Sequence, residues 1–303
     1  MTGSFFTRSL HNPILAPTER WWEARSVFNP GVALLGDRIA ILYRAVGVDG
    51  VSRLGLAWSK DGENIAERVQ LPVYEGALDD PYARLGVEDP RITEIDDSYY
   101  ITYCKASVSP ASTPPLSWEP APFRVRSGVA FTRDFRATEE IATILPDQNT
   151  KDAVLLPARI DGRFATLIRL YPSICYSTSA DLITWTPPRL VMEPVPGGWE
   201  AERVGAGPPP VLTPWGWLLL YHGNRYLHFP ENKRWYSMGL AVLDRAEPWK
   251  VLYRHPEPIF APEVDYEVRG PVGNVVFGTG LVALGDRWYL YYGAGDGVIG
   301  VAW

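Results

Sequence analysis

The segment Gly86-Val87-Glu88-Asp89-Pro90-Arg91 sets two acids, a proline and an arginine in a row, just ahead of an aromatic-rich run. Carboxylates at the start of a strand are costly to bury unless paired or solvated. Asp89 and Arg91 could close a blade as an ion pair, or Asp89 could be a general acid whose pKa is raised by partial burial. A second group is a set of cations spread along the chain: Arg44, Arg126, Lys151, Arg169 and Arg203, with His222. Each alone reads as a surface charge or a salt-bridge partner. Gathered in one place, in a protein of net charge −6, they would form an oxyanion or phosphate site, because guanidinium groups bind phosphate oxygens two at a time. A third segment, Ala206-Gly207-Pro208-Pro209-Pro210, precedes Tyr221-His222-Gly223. The prolines are a rigid approach to a strand, and a lone histidine among Tyr and Trp is ordinarily a hydrogen-bonded core residue.

Other chemistries lack their signatures. The chain has no Gly-x-x-x-x-Gly-Lys phosphate loop and no Gly-x-Ser-x-Gly elbow. Cys104 and Cys175 lie far apart, and with only 4 His no metal-ligand spacing occurs. No metal or cofactor is therefore expected. The absence of a Lys/Arg-rich run removes electrostatic support for nucleic acid or an anionic membrane. No apolar run approaches a membrane span, and the opening MTGSFFTRSLHNP lacks the apolar core of a signal peptide. Two cysteines suit a reducing compartment, so a cytoplasmic protein is expected.

The elements that would bring these residues together are strands. Helical periodicity is almost absent, and short alternating runs bounded by turn residues recur. One hairpin-like pattern returns five times: 36–47 with 52–62, 96–107 with 126–135, 161–172 with 174–185, 215–224 with 236–249, and 285–296 with 298–303. Each resembles the central hairpin of a propeller blade, and Ser59-Lys60-Asp61-Gly62, Thr132-Arg133-Asp134-Phe135 and Ser179-Ala180-Asp181-Leu182 read as the turn after a third strand. Five such units in 303 residues predict an all-β, single-domain, five-bladed propeller over 28–303 with an N-terminal extension over 1–27. A sandwich or a solenoid does not account for five similar hairpins. The 12 Trp and 16 Tyr suit a strand-rich core and also a surface of flat rings on which the C–H faces of sugars pack. The Pro- and Ser-rich stretch 107–123 reads as a loop inserted in the second blade, a candidate wall of the cleft.

With those motifs in hand, the chain resembles glycoside hydrolase family 130. The motifs are Phe28-Asn29-Pro30-Gly31, Tyr43-Arg44-Ala45, Gly86 to Arg91, Lys151-Asp152-Ala153, Arg203 to Pro209, Tyr221-His222-Gly223 and Gly293-Ala294-Gly295-Asp296. The resemblance runs from Phe28 to Trp303. It implies inverting phosphorolysis of β-mannosides, with inorganic phosphate as co-substrate and α-mannose 1-phosphate as product. It also implies that Asp89 is the catalytic acid, working through the sugar's own 3-hydroxyl. It assigns phosphate to Arg126, Arg169, Arg203, Tyr221 and His222, and the mannosyl unit to Asn29, Arg44, Tyr103 and Asp296. Lys151 and Asp152 join them as candidate substrate contacts. Ile168-Arg169-Leu170 stands where many members carry His-Arg-Pro.

Two other readings remain open at this level. An inverting β-mannosidase would need a carboxylate base for water, for which Glu200, Glu202 and Glu267 are candidates. A non-catalytic carbohydrate-binding propeller would not need Asp89. The resemblance implies a β-1,4- or β-1,2-linked manno-oligosaccharide or a mannosyl-glucose type substrate, and the segment before Phe28 is a candidate element for homo-oligomer assembly.

Overall fold

The computed structural model describes residues 4–77, 79–108, 123–228 and 233–303. Its strands form five antiparallel sheets. Blade one is β1 (Ser26–Leu35), β2 (Arg38–Val46), β3 (Ser52–Ser59) and β4 (Ile65–Arg68). Blade two is β5 (Val87–Ile95), β6 (Ser98–Val108), β7 (Phe123–Thr132) and β8 (Glu139–Ile144). Blade three is β9 (Lys151–Leu155), β10 (Phe164–Leu170), β11 (Ser173–Ser179) and β12 (Arg189–Met192). Blade four is β13 (Arg203–Ala206), β14 (Val211–Thr213), β15 (Gly216–His228), β16 (Lys233–Leu243) and β17 (Val251–Arg254). Blade five is β18 (Val276–Leu284), β19 (Arg287–Ala294) and β20 (Val298–Ala302), preceded by the short α1 (Asp265–Val268). The five hairpins expected from the sequence are the β2–β3, β6–β7, β10–β11, β15–β16 and β19–β20 pairs. Most of the 107–123 stretch, 109–122, lies outside the described residues.

Turn chemistry explains the repeat. After the third strand, in sheet order, of four blades an aspartate accepts two backbone N–H groups. Asp61 does so from Glu63 and Asn64, Asp134 from Arg136 and Ala137, Asp181 from Ile183 and Thr184, and Asp244 from Ala246 and Glu247. This is the local bonding that makes Asp favoured in turns.

The apolar core is divided among the gaps between blades. Five buried clusters each bridge two neighbours: blades one and two through Leu54 and Ile101, two and three through Val129 and Leu155, three and four through Leu167 and Leu219, four and five through Met238 and Leu290, five and one through Val301 and Ile41. A side chain so buried gains roughly 1.5–3 kcal/mol, so the closed ring is held by stacking and its axis is left to polar groups.

A repeated pair sets which residues face that axis. Tyr43, Tyr103, Tyr221 and Tyr292 lie opposite Gly55, Gly128, Gly239 and Gly300 in register. A Cβ at each of these glycines would come within 2.4–2.5 Å of the tyrosine ring, so only glycine leaves room for it. The rings fill the gaps between blades. Side chains alternate along a strand, so Arg44 and His222, one residue on, turn the other way.

The N-terminal residues belong to the ring. Thr7 and Trp303 exchange both backbone hydrogen bonds, Ser9 N–H donates to Val301 and Ile299 N–H to Leu15. The segment therefore lies along β20 as the outer member of a blade that otherwise has three strands. Arg8 pairs with the buried Glu267 at 2.8 Å, and the buried Glu23 accepts hydrogen bonds from Tyr43 and Arg68 of blade one.

Candidate active site

The inner strands of the first three blades share a defect. Asn29, Asp89 and Asp152 take positive φ of 48°, 52° and 54°. Pairing slips between Phe28 and Gly31 and between Glu88 and Arg91, and in blade three between Leu167 and Arg169, on the strand facing Asp152. Asn and Asp tolerate the left-handed region better than other side chains, and a bulge re-aims a side chain next to a site. Asp296, in the turn between β19 and β20, also has positive φ, 51°.

These side chains meet at one end of the channel. Asn29 Nδ2 donates to Asp89 Oδ1 at 2.7 Å. Arg44 and Lys151 lie 3.4 Å and 3.5 Å from the Asp89 oxygens and also hold Glu88, at 2.6 Å and 3.1 Å. Gly293 permits the arrangement, because a Cβ there would sit 2.1 Å from Asn29 Oδ1. Arg91, 1% exposed, reaches across the axis: it donates to the Asp89 and Ala206 carbonyls and to Asp152 Oδ1. The ion pair of Arg91 is therefore with Asp152 rather than with its neighbour Asp89. Arg169 lies 2.7 Å and His222 Nε2 3.3 Å from Asp152 Oδ2.

Above this floor opens a cavity of about 530 Å³, within the usual range of small-ligand sites. Of the residues singled out in the sequence, Asn29, Arg44, Asp89, Lys151, Asp152, Arg169, Arg203 and Asp296 line it. Arg126, Tyr103, Tyr221 and His222 do not. Tyr103 and Tyr221 are the inter-blade rings described above; their hydroxyls meet Tyr74 and Arg254. Arg126 is turned to the carbonyls of Pro146 and Val125 and to Asn149, over the Tyr82 ring. His222 is fully buried behind Asp152, 4.1 Å from the Phe277 ring. Sequence reasoning overlooked Tyr226, Arg234 and Tyr236 on the wall. Counting by twos outward from His222 along β15, to Asn224 and Tyr226, with their partners Tyr236 and Arg234 on β16, would have found them.

The protonation pattern differs from the expectation for Asp89. Burial alone would raise its pKa, but the charges of Lys151, Arg44 and Arg91, with the Asn29 hydrogen bond, hold it at about 2. The raised carboxyl is Asp296, pushed by burial to about 6 against the pull of Arg44. Burial lowers His222 to about 4 despite Asp152, so at neutral pH the imidazole is an uncharged hydrogen-bonding group. The cationic surface belongs to Arg44, Lys151, Arg169, Arg203 and Arg234.

A ring of five blades whose channel mouth gathers carboxylates and guanidinium groups around one cavity defines a propeller with a polar small-ligand site. Comparison with known proteins makes this specific: the family model for glycoside hydrolase family 130, described as beta-1,4-mannooligosaccharide phosphorylase, matches residues 10–303. The chain belongs to that family. It is 37% identical to a beta-1,2-mannobiose phosphorylase of a Thermoanaerobacter species, over 98% of this chain and 96% of the relative. It is 35% identical to a 1,2-beta-oligomannan phosphorylase of the same source, over 96% and 94%. The solved beta-1,2-mannobiose phosphorylase of Listeria innocua, in complex with beta-1,2-mannobiose, superposes with a TM-score of 0.81 at 26% identity, covering 98% of this chain and 96% of that one.

Proposed function

We propose that this protein is a β-mannoside phosphorylase in which Asp89 is the acid and the cations of the channel mouth hold phosphate. Inorganic phosphate attacks the mannosyl anomeric carbon from the face opposite the leaving group. The C–O bond to the leaving sugar breaks, a C–O bond to phosphate forms, and the leaving oxygen receives a proton. The products are α-mannose 1-phosphate and the shortened sugar, with inverted configuration.

One observation carries the choice of phosphate over water. A hydrolase needs an unengaged carboxylate to activate water. Glu200 is buried and paired with Arg254 at 2.7 Å, Glu202 accepts from Asn224, and Glu267 accepts from Arg8 and Tyr292; none of the three lines the cavity. Of the carboxylates that do line it, Glu88 and Asp152 are each gripped by at least two cations. Asp89 is held by Asn29, Arg44 and Lys151 and is assigned as the acid. Asp296 lies in the field of Arg44 and Lys151 beside Asp89, where this reading gives it to the mannosyl hydroxyls. The wall instead presents Arg169, Arg203 and Arg234, which suit an anionic nucleophile.

In this reading Asn29, Arg44 and Asp296 hold the mannosyl hydroxyls beside Asp89. Asp89, ionised at neutral pH by its cationic neighbours, takes up a proton from dihydrogen phosphate or solvent when substrate and phosphate bring negative charge beside it. It passes that proton to the glycosidic oxygen through the sugar's 3-hydroxyl. Arg126 and His222 act behind the wall, His222 by steadying Asp152 and through it Arg169. Incubation with β-1,2- and β-1,4-mannobiose, with and without phosphate, tests the proposal. The two Thermoanaerobacter relatives are named for 1,2-linked substrates, so that linkage comes first. Phosphate-dependent release of α-mannose 1-phosphate is expected; turnover to mannose that ignores phosphate would sink it.

A further inference from the structure

A second depression, of about 460 Å³, adjoins the main cavity at Tyr226, which lines both. Its floor is Gly197, Gly198 and Ala201, and its walls are Glu202, Arg225 and Tyr226. At Gly197, with φ 76°, no heavy atom lies within 4 Å of where a Cβ would be, so the floor is open. The shared wall is held in place. Arg234 Nη2 donates to the Tyr226 hydroxyl at 2.8 Å and its guanidinium lies 5.0 Å from the ring centre. Glu202 is 3.5 Å from Arg203 and 3.7 Å from Arg234, both on the main cavity wall, and receives a hydrogen bond from Asn224. A half-exposed aromatic ring fixed by an arginine, with a carboxylate and a second arginine beside it, is suited to a pyranose. The ring takes the C–H face, the charged groups take the hydroxyls, and a pre-positioned ring loses little freedom on binding.

We propose that this groove binds the further hexose units of an oligomannoside, beyond the unit that leaves, so that the enzyme favours chains longer than the disaccharide. The proposal rests on the reading of the central cavity as the cleavage site. Substrate length is then set outside the cavity, by residues that do not touch the reacting bond. Arg225 and Ala201 line the groove only, so substitutions there separate length preference from turnover.

The experiment is calorimetric binding of β-linked mannobiose, mannotriose and mannotetraose, in the 1,2 and the 1,4 series, to the whole protein without phosphate. It is done for wild type, Arg225→Ala and Ala201→Trp. The tetraose is expected to bind the wild type at least about tenfold more tightly than the biose, which is ~1.4 kcal/mol. Ala201→Trp, which fills the groove, should abolish that gain and Arg225→Ala should reduce it, with biose affinity held within about twofold because additivity applies to separate sites. Equal affinity for all lengths in the wild type, or an unchanged length dependence in Arg225→Ala, overturns the proposal. If Ala201→Trp lowers biose binding and the melting temperature together, Arg225→Ala decides. Length-dependent binding without release of mannose 1-phosphate upholds the groove and removes phosphorolysis; failure of both series to bind at any length overturns both.

Discussion

Asn29 of blade one donates to Asp89 of blade two at 2.7 Å, and both hold the left-handed backbone conformation at a slip in their inner strands. The bond joins two blades at the point where the chemistry is proposed to occur. Replacing Asp89 with Asn keeps the shape and removes the proton. The expected loss is about 10²–10⁴-fold in kcat, the usual worth of a positioned acid, with mannoside affinity largely kept. Steady-state kinetics and sugar calorimetry on the same variant check this, and an unchanged kcat would rule Asp89 out.

Phosphate and sugar sites should come apart on mutation. Arg203→Ala is expected to raise KM for phosphate by about 10²-fold, the scale of a lost charge-assisted bidentate contact, while KM for the mannoside moves much less. A parallel rise in both would place Arg203 with the sugar instead. Phosphate should also stabilise the wild type, by about 2.7 kcal/mol at a hundredfold excess over its Kd, and at the same phosphate concentration this should fall to about 0.4 kcal/mol in Arg203→Ala.

The buried titratable groups pull stability in opposite directions with pH. Asp296 has its folded pKa raised from 3.8 to about 6. The folded protein therefore binds the extra proton, and its stabilising contribution is full below 3.8 and lost as pH rises through about 6. Asp296→Asn should accordingly be more stable than wild type at pH 8, by up to about 3 kcal/mol, and equal to it near pH 4. His222, lowered from 6.5 to about 4, contributes stability above 6.5 that is lost as pH falls through about 4. Asp89, lowered from 3.8 to about 2, contributes above 3.8 and loses that only in strong acid. Urea unfolding across pH 4–8 on wild type, Asp296→Asn and His222→Gln separates the first two.

Tyr221 and Tyr103 should matter for stability and little for turnover. Phe at either position removes one hydroxyl contact, worth about 1 kcal/mol, and kcat should stay within about threefold because the ring is unchanged. Gly128→Ala, by contrast, drives a methyl into the Tyr103 ring, 2.4 Å away, and should cost about 1–3 kcal/mol as an overpacked core. Melting curves and kinetics on Tyr221→Phe, Tyr103→Phe and Gly128→Ala check the ranking.

The N-terminal segment should be indispensable to the ring. Glu267 is fully buried and bonded to Arg8 and Tyr292. Glu267→Ala leaves Arg8 without its main partner and should cost about 3–5 kcal/mol, as for other broken buried pairs. Deleting residues 1–15 should expose β20 and lower the melting temperature at least as much. A truncated protein with wild-type stability would show that the segment is dispensable.

The five central hairpins were legible because their signal is local: two-residue alternation ended by Gly or Asp turns. Edge strands such as β4 and β12, four residues long, are too short to show alternation. β13 follows a stretch with Pro194, Pro196, Gly197 and Gly198 that shows none, and β9 follows the polar run 146–150. The site was legible mainly as motifs. Asn29, Asp89 and Asp152 reach the cavity because their backbones leave the strand conformation, and alternation cannot report that. Tyr103 and Tyr221 are assigned to the site only by the resemblance; which face they take is decided by the glycine opposite, on another strand. The sense of the Asp89 shift depended on three cations from separate blades, so only their placement could supply it. Residues 5–15 lack a turn-and-strand repeat because they complete a blade begun at the far end of the sequence.

That last arrangement has a bearing on synthesis. Asn29 is made before Asp296, yet they share one cavity, and the strand that seals the final blade is made before the blades themselves. A nascent chain halted after four blades would carry Asp89 and most of its cations but no closed mouth to hold a sugar. Messages cut short should therefore yield inert, protease-sensitive fragments rather than partially active enzyme.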